Sequence, residues 1–210
     1  MFGFYPVNLR LEGRKCLVVG GGKVAERKVV NLLSYGAKVT VISPRITSKL
    51  AGQEGIELWL RSYQSKDVEG FFLVICATDD DAVNLQVASE CMERNILVNV
   101  VDDPPKCTFL VPSVLRRGDL TISVSTGGKS PLLARKIRQS LEGLFGPEYA
   151  EYLEVLGEVR NRVIKNIPDI NERKRMFTEL IESDILEFIR LGNQEKVKER
   201  IEDVFVNRRS

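Results

Sequence analysis

Lys15-Cys16-Leu17-Val18-Val19-Gly20-Gly21-Gly22-Lys23-Val24-Ala25-Glu26-Arg27-Lys28-Val29 is the stretch on which the fold turns. A short apolar run ends at three glycines, and the pattern then changes from strand to helix. Ala25, Val29, Leu32 and Leu33 fall at i, i+4, i+7 and i+8, which lays down one buried helical stripe. Gly20-x-Gly22-x-x-Ala25 is the dinucleotide fingerprint in its required strand–turn–helix setting. Each position answers a separate need. Gly20 permits the tight turn, Gly22 removes a Cβ from the path of a pyrophosphate, and Ala25 lets helix and strand pack closely. Lys23 and Val24 open the helix, whose first N–H groups are natural anion donors.

Working outward, the same alternation repeats. Gly36 stands where a left-handed helix cap belongs, and Lys38–Ile42 reads as a second strand stopped by Ser43-Pro44. Residues 56–60, 71–77 and 96–101 read as three further strands. Asp79, Asp80 and Asp81 open a helix on which Val83, Val87 and Cys91 recur every four residues. Alternating strand and helix predict an α/β fold with a Rossmann-type, doubly wound parallel sheet. After Asp102 the pattern shifts. Residues 109–115 and 120–125 are β-rich around a turn at Arg116-Arg117-Gly118-Asp119. Ser130-Pro131 starts a helix, and a break at 143–147 leads into an all-helical tail. In that tail Asp169 and Glu172 have the spacing of a capping box.

Composition narrows the chemistry. Hydrophobic residues at 43% and charged residues at 29% suit a soluble protein, and no apolar run nears the ~20 residues of a membrane span. Met1-Phe2-Gly3-Phe4-Tyr5-Pro6 lacks the features of a signal peptide, so a cytoplasmic protein is expected. The four cysteines form no C-x-x-C pair, and no metal-ligating set is expected. A formal charge of +2 does not suggest nucleic acid. The chain has no histidine, which removes Ser-His-Asp and Cys-His catalysis and leaves proton transfer to Asp, Glu, Lys, Tyr or Cys.

The cofactor edge has a second set of candidates. The acidic residue that should follow the second strand and bind the adenine ribose is replaced by Ser43-Pro44-Arg45. Serine can bond a hydroxyl and Arg45 can face a 2′-phosphate, so these residues leave NAD against NADP open. Thr78, after the fourth strand, is expected to contact the dinucleotide or to sit at a helix start. Gly128-Lys129-Ser130 has the ending of an ATP-binding loop, but Ser123 stands where that motif needs its first glycine. The loop instead offers backbone donors to anions, with Arg116, Arg117, Lys129, Arg135 and Arg138 able to add charge.

GGGKVAERK (20–28), CATDDDAVN (76–84), NVVDDP (99–104) and FLVPSVLRRGDLTISVSTGGKSPLLAR (109–135), with the helical tail, resemble the precorrin-2 dehydrogenase family. That family includes the N-terminal part of multifunctional siroheme synthases. The resemblance covers essentially the whole chain. It implies NAD-dependent oxidation of precorrin-2 to sirohydrochlorin by a homodimer without nucleic-acid or membrane partners. It also implies a domain order of NAD-binding 1–112, a small β-rich dimerisation and substrate region 113–146, and a helical domain 147–210. The acid–base residue it implies is Asp102, the aspartate of N-V-x-D, with Asp103 as an unmatched neighbour. Asp102 would follow the last strand at the sheet's carboxyl edge, where open α/β folds bind ligands, although Asp-Asp-Pro-Pro is also strong turn chemistry. Arg116, Gly127, Gly128, Lys129 and Ser130 are the implied substrate contacts. Thr126 holds a position that is a phosphorylatable serine in some members. Some members also insert iron into sirohydrochlorin, and a nucleotide sensor without turnover is the alternative from another class.

Overall fold

The computed structural model describes residues 3–206. Met1 and Phe2 of the N-terminal stretch read above, and residues 207–210 of the helical tail, lie outside the described residues. The chain divides into two compact units, one through Val111 and one from Pro112.

The first unit is a five-stranded parallel sheet of β1 (Lys15–Val19), β2 (Lys38–Ile42), β3 (Ile56–Trp59), β4 (Leu73–Cys76) and β5 (Leu97–Val100). Its order is β3-β2-β1-β4-β5, and every pairing is parallel. β1 is central because it is apolar on both faces. Cys16 and Val18 pack on one side with Val29 and Leu32 of α1 (Lys23–Ser34), whereas Leu17 and Val19 pack on the other with Val87 and Cys91 of α3 (Asp81–Glu93). Successive side chains of a strand point to opposite faces, so a continuous apolar run serves two cores at once. The order reverses between β1 and β4, which opens a crevice at the carboxyl ends of these strands. A one-turn helix, α2 (Ser48–Ala51), follows β2, and Thr47 caps it by accepting from Leu50 N–H at 3.2 Å.

The strand cores agree with the sequence reading, and their ends are shorter. Phe71, Phe72 and Ala77 lie outside β4 although they continue its apolar run. They pack at the rim of the two cores instead. Gly36 has φ +73 and Asp80 caps α3 through Ala82 and Val83 N–H at 3.0 and 3.1 Å, as the helix signals required.

The second unit begins with an antiparallel hairpin of β6 (Ser113–Arg117) and β7 (Leu120–Val124). The predicted strand start at Phe109 moves to Ser113, because Phe109 instead packs against the sheet and its carbonyl accepts from Asn99 Nδ2 at 3.1 Å. The turn itself contracts to Gly118-Asp119, with Gly118 at φ +56. α4 (Pro131–Glu142) packs on the hairpin, with Ser130 accepting from Leu133 N–H at 3.3 Å as its cap. α5 (Glu148–Asn166), α6 (Ile170–Glu182), α7 (Ile185–Arg190) and α8 (Gln194–Val206) share a core built on Val163, Ile167, Met176, Leu180 and Ile185. Asp169 caps α6 by accepting from Glu172 N–H at 2.7 Å.

Candidate active site

A cleft of about 830 Å³ lies at the carboxyl edge of the sheet, within the first unit. That volume falls within the ordinary range for ligand pockets. Gly20, Gly22, Lys23 and Val24 line it from the β1–α1 bend, and Ser43 and Pro44 line it from the end of β2. Thr78 joins from the end of β4 and Asp102 from the end of β5. Four of the stretches singled out in the sequence therefore meet in one crevice.

The three glycines do different work. Gly20 has φ +124, and a Cβ there would stand 2.3 Å from the Ala77 carbonyl oxygen, so it lets β1 and β4 close together. Gly21 has no role in the fingerprint read from sequence. Yet a Cβ at that position would come within 2.0 Å of the Arg45 carbonyl oxygen, so the β2–α2 loop rests on it. Gly22 is the reverse case: its backbone suits any residue, and a Cβ would meet nothing within 4 Å. The space beside it opens on the cleft. α1 starts on this glycine without a side-chain cap, so its first-turn N–H groups have no intrahelical partner, and Gly22, Lys23 and Val24 line the cleft. A bare backbone, an open space and a helix start fit a pyrophosphate. They are also the features a dinucleotide needs.

Ser43 is buried, and its hydroxyl donates to the Arg45 carbonyl at 2.6 Å. Its proton is therefore spent on the loop, and only acceptor capacity is left for a ribose. No carboxylate occupies this place, and Arg45 lies on the cleft wall. The Thr78 hydroxyl accepts from Asp80 N–H at 3.0 Å and donates toward Asn84 Oδ1 at 3.1 Å. Thr78 is thus tied to the α3 start, while Asp80 provides the cap. Tyr63, missed in the sequence reading, also lines the cleft. Its hydroxyl donates to Glu90, 3.0 Å away on α3, and burial together with that carboxylate pushes its pKa far up. No local spacing marks Tyr63, because its partner is twenty-seven residues away.

Asp102 is exposed and has φ +61, one of three non-glycine residues in the left-handed region among those described. Such a backbone is uncommon outside glycine, although asparagine and aspartate adopt it more readily than other residues, and it clusters at functional sites. The adjacent carboxylates are not equivalent. Asp103 is paired with Lys106 at 2.5 Å, and that bond raises the Lys106 pKa, whereas Asp102 lines the cleft. Lys28 on α1 is partly buried, and its pKa is lowered first by burial and then by Arg27, against upward pulls from Asp102 and Cys107.

The remaining predicted contacts belong to the second unit. Gly127 and Gly128 have φ +61 and +81 between β7 and α4. The Thr126 hydroxyl accepts from Ser130 N–H at 3.0 Å, and Ser125 Oγ accepts from Gly127 N–H at 3.2 Å. Lys129 N–H donates to the Thr126 carbonyl at 3.1 Å. These bonds fold the loop on itself. Arg116 donates through Nε to the Gly118 carbonyl at 3.0 Å. Among the described residues, no group of three or more His, Cys, Asp or Glu side chains is placed to hold a metal.

Comparison with known proteins accounts for nearly the whole chain. Residues 7–113 match the family model described as "putative NAD(P)-binding". Residues 117–144 match the central domain of sirohaem biosynthesis proteins, and 148–205 the sirohaem synthase dimerisation region. The chain belongs to the "putative NAD(P)-binding" family. Siroheme synthase of Thioalkalivibrio sulfidiphilus (strain HL-EbGR7) is 41% identical over 202 residues, covering 95% of this chain and 41% of that protein. Siroheme synthase of Ectopseudomonas mendocina (strain ymp) is 37% identical over 203 residues, covering 95% and 44%. The chain thus spans less than half the length of these siroheme synthases. A solved structure, the precorrin-2 dehydrogenase SirC, superposes with a TM-score of 0.79 at 28% identity, covering 95% of this chain and 100% of that one. Among the described residues of this family member, no helix is long and apolar enough to cross a membrane.

Proposed function

We propose that this chain catalyses the NAD-dependent dehydrogenation of precorrin-2 to sirohydrochlorin, as a soluble cytoplasmic homodimer. The observation that carries the reading is the meeting of the Gly20–Val24 bend and Asp102 on one cleft at the sheet's carboxyl edge. The likeness to SirC over that protein's full length supports the same substrate. The match of residues 148–205 to a dimerisation region supports the dimer.

In this reading the first-turn N–H groups of α1, with Lys23 beside them, hold the pyrophosphate, and Gly22 admits it to backbone distance. Ser43, Pro44 and Thr78 border the nucleotide. NAD supplies the hydride acceptor. Oxidation removes two electrons and two hydrogens from the macrocycle, one as hydride and one as a proton. Asp102 takes the proton, and an aspartate lining the cleft is suited to that step in a chain without histidine. Arg116, Lys129 and the Gly127–Ser130 loop bind carboxylates of the substrate, arginine in the bidentate manner. The division of labour follows the domain order 1–112 for cofactor, 113–146 for substrate and 147–210 for assembly.

The test is the coupled conversion. Purified protein with NAD and precorrin-2 should form NADH and the sirohydrochlorin spectrum in equal amounts. Asp102→Asn should slow turnover by about 100-fold or more, the usual contribution of a positioned base, while NADH affinity stays within about twofold. NADH binding with no conversion by the native chain would instead leave a nucleotide sensor.

A further inference from the structure

The left-handed backbone at Asp102 is held by contacts around its turn. Asp103 N–H donates to the Val100 carbonyl at 3.3 Å, closing a turn in which Asp102 takes the third place with φ +61. Turns of that kind favour glycine or asparagine there; aspartate tolerates the left-handed region at a small cost, and contacts around the turn offset it. The fixing groups lie on the side of the turn facing the protein. Val100 N–H reaches the Cys107 sulfur at 3.2 Å, and that sulfur lies 3.2 Å from the Asp103 carbonyl and 3.3 Å from the Val100 carbonyl. Asn99, buried on β5, sends Nδ2 toward the same sulfur at 3.4 Å and to the Phe109 carbonyl at 3.1 Å. Pro104–Lys106 forms a 3₁₀ turn that brings Cys107 back under Val100. One thiol thus accepts from the last strand residue and donates to either carbonyl flanking Val101 and Asp102. The asparagine of the NVVDDP motif anchors the returning chain.

We propose that Cys107 and Asn99 are positioning residues for Asp102. They latch the 100–103 turn from beneath, and the latch keeps Asp102 left-handed with its carboxylate at the cleft. The proposal rests on the reading of Asp102 as the proton acceptor. Neither latch residue touches the reacting atoms; each acts through the turn. The chemistry required is narrow: a small side chain at 107 that both accepts and donates. Serine preserves that capacity, whereas valine and alanine remove it.

The experiment is a cycle in the full chain with precorrin-2 and NAD. Cys107→Val should lower kcat by about 10- to 100-fold, with NADH affinity and the KM for precorrin-2 within about threefold of the native values. Cys107→Ser should recover most of that loss. In the Asp102→Asn background, Cys107→Val should cause no further slowing, since a residue acting only through Asp102 has nothing left to position. A Cys107→Val kcat within twofold of native, or a double variant clearly slower than Asp102→Asn alone, would overturn the proposal. Should the valine fail to fold, Cys107→Ala is judged by the same criteria. Hydrogen exchange at the Val100 and Asp103 amides reads the latch without turnover. Exchange at least tenfold faster in Cys107→Ala is expected, and unchanged exchange would remove the latch even if Asp102 proved catalytic. If the native chain converts no precorrin-2, or Asp102→Asn is as active as native, the function reading fails, and the exchange result still decides whether the latch exists.

Discussion

A methyl group added at Gly22 and one added at Gly20 have opposite consequences, although both glycines belong to one fingerprint. At Gly22 the extended backbone accepts alanine and its Cβ enters open space on the cleft. Gly22→Ala should therefore keep the melting temperature within about 2 °C of native, since surface changes away from special features are nearly neutral. NADH affinity should fall about tenfold or more, measured by fluorescence titration. At Gly20 the new Cβ would collide with the Ala77 carbonyl from a left-handed backbone, so Gly20→Ala should lose more than about 2 kcal/mol in chemical denaturation. The motif marked both positions, because its spacing told the turn glycine from the glycine that leaves open space on the cleft. Gly21 was not legible. Its requirement comes from Arg45 in another loop, and no local pattern reports a contact made twenty-four residues away. Cys107 was hidden for the same reason. In the sequence it is one of four scattered thiols, and only the return of the chain under β5 gives it work.

At the scale of elements, the helix starts were the most readable features and strand ends the least. A run of three aspartates marks the start of α3, but only Asp80 accepts from its N–H groups. Asp80→Ala should cost about 1 kcal/mol, the typical value of an N-cap, whereas Asp79→Ala should stay within about 0.5 kcal/mol. Equilibrium denaturation of the two variants separates them, and equal losses would mean that the cap is shared. Strand ends blur because apolar character outlasts hydrogen bonding. Phe71, Phe72 and Ala77 continue the run of β4 while packing on the rim of the cores. Helix α2 was not foreseen either. It is one turn long, and it depends on Thr47, which caps it and also donates to Glu26 of α1 at 3.0 Å. A single turn is too short for periodicity to appear.

Across the whole molecule, titratable groups are divided unevenly between the two units, and pH should therefore resolve them. All four cysteines lie before Val111. Burial pushes the Cys16 thiol up to about 11 and the Cys91 thiol to about 12, and it raises Cys76 and Cys107 as well. For each, the folded state holds its proton to higher pH than the unfolded chain does. The stability they contribute is fully present below the ordinary thiol pKa and is lost as pH rises toward the folded values. Tyr63, raised by burial and Glu90, acts in the same direction. Beyond Pro112 Glu148, Asp184 and Glu202 are held low by partly exposed ion pairs, such as Glu148 with Arg190 at 2.8 Å and Asp184 with Arg200 at 2.9 Å. Their contribution disappears only in acid and is small because water and salt screen such pairs. The same pairs raise Arg162 and Arg190, and burial raises Tyr152 in the helical core. Between pH 9 and 11 the sheet unit should therefore lose stability faster than the helical unit. Trp59, the single tryptophan, lies on β3 and reports the sheet alone. Its fluorescence should shift at lower denaturant as pH rises through this window, together with the share of helical circular dichroism due to α1–α3, while the larger share from α4–α8 holds longer. Cys16→Ala should flatten the alkaline slope of the Trp59 transition without moving the later helical phase from α4–α8. If the two signals moved together at every pH, the units would be melting as one cooperative body, and the thiols of the sheet would be setting the alkaline limit for the entire chain.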